Sequence, residues 1–81
     1  MKIYGSNLCG DCTECKEELD KAGISYSFLD ITEELQNLKE FLKIRDMNPI
    51  FQEVKQNGGI GIPCVIKDNG DVTLDWTELV K

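Results

Sequence analysis

The chain has 81 residues, 41% hydrophobic and 30% charged, with a formal net charge of −6, four cysteines and no histidine. That length makes a single domain, 1–81, with a small core and marginal stability. The acid excess argues against nucleic acid and anionic membrane surfaces, which are bound through clustered Lys and Arg, and the missing histidine removes the commonest general base.

The chain opens directly on "KIY", with no charged-then-apolar leader, and no apolar run approaches the roughly 20 residues of a membrane span. A cytoplasmic monomer is therefore expected. "KIYGS" places β-branched and aromatic residues before a Gly-Ser break and reads as a first strand. Next comes "SNLCGDCTECKEELDKAG". From Cys12 the apolar positions are Cys12, Cys15, Leu19 and Ala22, spaced three, four, three, which is one face of a helix that Gly23 would end.

"ISYSFLDI" alternates Ile24, Tyr26 and Phe28 with serines and reads as a second strand. Asp30 followed by Glu33 resembles a capping box, so a second helix is expected from Asp30 or Thr32. Leu35, Leu38, Phe41 and Leu42 would be its core positions, with Arg45 near the break at "MNP". Proline disfavours helix at Asn48, which leaves Ile50–Gln56 as a separate short helix ended by "NGG". "CVIK" and "VTLD" flank "DNGD", a strong hairpin signal, and "WTELV" makes a last helical turn. Tyr4 and Trp76 are expected to pack rather than bind. The order predicts an α/β, thioredoxin-like fold, a four-stranded mixed sheet flanked by helices. It arises from a right-handed βαβ unit followed by an antiparallel hairpin.

The cysteine cluster then falls on the turn from the first strand into the first helix. A thiol there meets unpaired N–H groups and the positive end of the helix dipole, which favour the thiolate that attacks disulfides. A second thiol one turn on can resolve the mixed disulfide. Cys9 is the better-placed nucleophile, Cys12 the resolving thiol, and Asp11 puts an opposing negative charge between them. Cys15 is expected on the core face, and Cys64 as packing or an accessory thiol. One alternative stays open: Cys9, Cys12, Cys15 and Cys64 as ligands of zinc or an iron–sulfur cluster in a metal carrier.

"IYGSNLCGDCTECKEELDKAGISYSFLDI" and "GIPCVIKDNGDV" together resemble a glutaredoxin over nearly the whole chain, and "LKEFLKIRDMNPIFQEVKQNGGIGIPC" resembles a bacterial glutaredoxin-related subgroup. The resemblance implies a thiol–disulfide oxidoreductase in electron transport and cell redox homeostasis. Its redox-active disulfide would be the CxxC pair Cys9 and Cys12, with Gly10, Asp11, Ile62 and a cis-Pro63 shaping the substrate groove. It implies no permanent cofactor and no metal. Substrates would be disulfide-containing proteins or glutathione mixed disulfides, with glutathione or thioredoxin reductase as electron donor. Glutaredoxins usually carry a Lys before the first cysteine, where Ser6, Asn7 and Leu8 stand here, and a glycine-rich turn where this chain has "LDWTELVK". Weak glutathione binding is therefore expected, with Arg45 and Lys55 the nearest candidates to hold its carboxylates.

Overall fold

A computed structural model describes all residues, 1–81. In chain order the elements are β1 (Lys2–Gly5), α1 (Gly10–Lys21), β2 (Ser27–Asp30) and α2 (Leu35–Met47). A 3-10 turn (Pro49–Phe51) leads into α3 (Gln52–Gln56), followed by β3 (Cys64–Ile66), β4 (Val72–Thr73) and a 3-10 turn at Trp76–Val80. The sheet runs β2-β1-β3-β4, with β1 parallel to β2 and the β1–β3 and β3–β4 pairs antiparallel. This is the four-stranded mixed sheet expected from the sequence.

The strand period of two divides the core into two layers. Ile3 and Val65 face one side, where they bury Cys15 and Leu19 of α1 and are flanked by Trp76, Leu79 and Val80. Tyr4 and Cys64 face the other side with Ile31, Phe41 and Phe51. There Phe51 meets Phe41 edge-on at 6.0 Å between ring centres, and the Tyr4 hydroxyl donates to Glu40 at 3.0 Å. No helix is long and apolar enough to cross a membrane.

α1 begins at Gly10, with Cys12 in its first turn as expected, and the Cys9 sulfur acts as its N-cap and accepts the Cys12 N–H. Several local expectations are corrected. Ala22 caps the helix end and is exposed, so the buried face stops at Leu19. β2 covers only Ser27–Asp30, although Ile24 and Tyr26 still pack against the Ile3 layer.

The second helix starts at Leu35, with Glu34 as an N-cap that makes no side-chain bond. Asp30 is not its cap. The Asp30 carboxylate instead closes a turn through the N–H groups of Thr32 and Glu33. Leu35 is consequently in the first helical turn, beyond the core, and is 65% exposed. The inward face of α2 runs through Leu38, Phe41 and Ile44, one position off Leu42, which is exposed.

Candidate active site

Residues 6–9 carry the chain from β1 to α1, and hydrogen bonds to β2 and the turn after it fix their path. Asp30 accepts the Asn7 N–H at 3.1 Å, the Thr32 N–H at 2.8 Å, the Thr32 hydroxyl at 2.6 Å and the Glu33 N–H at 3.2 Å. Because Thr32 spends its proton on Asp30, the Ser6 hydroxyl 2.9 Å away must donate to Thr32, and Ser6 Oγ in turn accepts the Leu8 N–H. From the α1 side, Lys16 Nζ reaches Asn7 Oδ1 at 2.5 Å while lying 4.0 Å from the Phe28 ring centre. The Cys9 N–H closes the turn on the Ser6 carbonyl.

The Thr32 hydroxyl, with the N–H groups of Asn7, Thr32 and Glu33, holds the Asp30 carboxyl below its ordinary value of 3.8. The folded protein therefore binds this proton less readily than the unfolded chain. The stability Asp30 contributes is complete above about pH 4 and is lost as pH falls through the lowered folded value. Asp30→Ala removes the shared acceptor of several partly buried hydrogen bonds and should destabilise by about 1–2 kcal/mol near neutral pH. In urea melts the gap between wild type and Asp30→Ala should narrow as pH falls from about 5 to about 2. A gap constant across that range would place the stabilisation elsewhere.

The cysteines have distinct surroundings. Cys9 is half-exposed, whereas Cys12, Cys15 and Cys64 are 0% exposed. Cys12 fits beneath the sheet because residue 5 is glycine: a Cβ there would lie 2.9 Å from Cys12 Sγ and 2.9 Å from the Phe28 ring. Burial pushes the Cys12 thiol up to about 12, Cys15 to about 11 and Cys64 to about 12. The Cys12 N–H donates to Cys9 Sγ at 3.4 Å, which joins the two residues one helical turn apart.

The metal-cage alternative requires the sulfurs to converge. Cys15 and Cys64 instead lie in separate core layers, and no three His, Cys, Asp or Glu side chains form a group that could hold an ion. Cys15→Ala is expected to leave exchange within about twofold of wild type and to destabilise by roughly 1 kcal/mol, the effect of trimming a small core side chain. Alkylation of Cys15 should require denaturant, and rapid labelling of the native protein would show that its layer opens.

A groove of about 490 Å³ opens beside Cys9. Leu8, Ile31, Ile60, Gly61 and Ile62 form its apolar walls, and Ser6 and Thr32 complete it. Of the residues expected to shape a groove, Ile62 lines it and precedes the cis bond to Pro63. Pro63 is buried, Gly10 and Asp11 are exposed on the first turn of α1, and none of the three is among the walls. Arg45 does not face the groove either. Its Nη2 donates to the Gly59 carbonyl at 2.7 Å and so supports the 59–62 loop, while Lys55 is exposed outside it.

Asp30, Thr32, Lys16 and Ile60 entered no expectation about the site, and Leu8 entered only as one of the positions without the Lys that glutaredoxins usually carry. Leu8 and Ile60 carried a usable signal, since Leu8 is a lone aliphatic residue in a polar turn and Ile60 stands between two glycines.

The glutaredoxin family model matches residues 1–72. An uncharacterized protein of Haemophilus influenzae is 38% identical over 77 residues, which cover 95% of this chain and 90% of that protein. No solved structure matches the chain.

Proposed function

The chain belongs to the glutaredoxin family, and from that premise we propose that it is a thiol–disulfide oxidoreductase working through Cys9 and Cys12. The observation that carries this reading is the contrast between the two thiols. Cys9 caps α1 and lines an open groove, while Cys12 is wholly buried one turn behind it with its N–H on the Cys9 sulfur.

Cys9 thiolate attacks one sulfur of a substrate disulfide. The substrate S–S bond breaks, and the departing sulfur leaves as a thiolate that takes a proton from water. Cys12 then gives its proton to water and attacks Cys9 Sγ; the Cys9–substrate S–S bond breaks, the second substrate sulfur leaves as a thiolate that takes a proton from water, and a Cys9–Cys12 disulfide remains. Burial keeps Cys12 protonated until that step, so it does not compete for the first attack.

The substrates on this reading are disulfide-containing proteins or glutathione mixed disulfides, and glutathione or thioredoxin reductase returns the electrons. The protein needs no permanent cofactor and acts as a monomer in the cytoplasm, where thiols are kept reduced. Reduction of a glutathione mixed disulfide, run in parallel with direct reduction of the protein by thioredoxin reductase, tests the reading. Turnover dependent on Cys9 in at least one assay is expected. Its absence in both would overturn the assignment.

A further inference from the structure

We propose that the groove beside Cys9 selects disulfides in polypeptide segments that carry a branched aliphatic residue next to the cysteine and no acidic residue there, in preference to glutathione disulfides. This substrate class rests on the exchange chemistry assigned above to Cys9 and Cys12.

Shape and exposure give the first argument. Leu8, the residue before the nucleophile, is 87% exposed, and Ile60 on the 59–62 loop is 57% exposed. Both line the same groove as Cys9, with Ile31 and Ile62 deeper in the walls. Aliphatic side chains held in water beside a reactive sulfur gain by accepting an apolar side chain of the substrate. The two hydroxyls in the walls are already engaged, since Ser6 bonds Thr32 and Thr32 bonds Asp30.

Charge gives the second. The stretches that wall the groove, residues 6–9, 31–32 and 60–62, contain no charged residue, and the chain just beyond them carries the acids Asp11, Glu33 and Glu34. Two nearby cations point elsewhere: Lys16 to Asn7 and the Phe28 ring, and Arg45 to the Gly59 carbonyl, and neither lines the groove. Glutathione presents two carboxylates and one ammonium, and finds no cation in these walls to hold it. A neutral or basic peptide segment meets no such penalty.

In the selected reaction, Cys9 attacks the sulfur of the cysteine seated in the groove, and the partner cysteine leaves as a thiolate that is protonated by water. The seated cysteine stays on Cys9, with its aliphatic neighbour against Leu8 and Ile60, until Cys12 displaces it. The substrate disulfide gains two electrons and two protons, and Cys9 and Cys12 supply both electrons.

The test uses three mixed disulfides of 2-nitro-5-thiobenzoate: a leucine-flanked cysteine peptide, the same peptide with glutamate flanks, and glutathione. Release of the coloured thiolate by reduced protein reports attack on the peptide or glutathione sulfur, with the same leaving group throughout. The leucine peptide is expected to react about tenfold or more faster than the other two. Replacing both exposed walls, Leu8→Ser with Ile60→Ser, should bring the three rates within about twofold of one another. Met47→Ser, at an exposed apolar residue outside the groove, should keep the wild-type ratio. A glutathione probe that matches or leads the leucine peptide, or a ratio that survives the double substitution, would overturn the substrate class and leave the exchange reading standing. Release no faster than that of Cys9→Ser with every probe would overturn both.

Discussion

Cys12→Ser is expected to stop exchange at a covalent stage, with half of the substrate left on Cys9, while Cys9→Ser abolishes exchange at the first step. The difference follows from exposure: Cys9 lines the groove and Cys12 has no exposed surface. Loss of the nucleophile should lower the rate on the order of a thousandfold or more, since the buried thiols that remain are protonated and out of reach. Intact-mass measurement after mixing with a peptide disulfide should show one adduct on Cys12→Ser and none on Cys9→Ser. An adduct that forms only on Cys9→Ser would reverse the two roles.

The largest structural effect is expected from Gly61→Ala. Gly61 has φ of +97°, a conformation that side chains disfavour, and a Cβ there would lie 2.8 Å from two carbons of the Phe51 ring. Phe51 is fully buried against Phe41 and has no room to retreat. Backbone strain and overpacking together should destabilise by about 2–5 kcal/mol. For a chain of this length that is a large share of a total of roughly 4–12 kcal/mol. Because Gly61 and its neighbours Ile60 and Ile62 wall the groove, the folded fraction should also exchange more slowly. Urea melts and single-turnover rates on the same samples separate the two effects. A variant as stable as wild type would mean that the loop and Phe51 are not tightly packed.

The parts legible in the sequence were those governed by local rules. Ile3 and Tyr4 in "KIYG" alternate across the sheet, Cys12, Cys15 and Leu19 keep one helical face, and "DNGD" turns the hairpin. Each signal lies within a few residues, and each element formed. Asp30 was misread for an instructive reason. Its spacing to Glu33 fits a helix cap, but its carboxylate also receives the Asn7 N–H from 23 residues away, a partner that no local pattern reveals.

Leu35 differs from expectation because α2 starts there and its first turn lies beyond the core, and Leu42 because packing turns the Leu38, Phe41 and Ile44 edge of the apolar stripe inward. The groove was the least legible part. Its walls come from residues 6–9, 31–32 and 60–62, which meet only after the sheet and α2 have formed. The sequence did indicate which sulfurs stand where the first strand passes into the helix, and the placements of Cys9 at the cap and Cys15 in the core agree with that reading.

The pairing of Cys9 with Cys12 is tested most directly by locating the disulfide formed in a single turnover. Reduced protein is mixed with one equivalent of a peptide disulfide and denatured, and its free thiols are alkylated with one reagent. The sample is then reduced and alkylated with a second reagent before fragmentation. The second label is predicted on Cys9 and Cys12, with Cys15 and Cys64 carrying only the first. A second label on Cys15 or Cys64, or none on Cys9, would contradict the account.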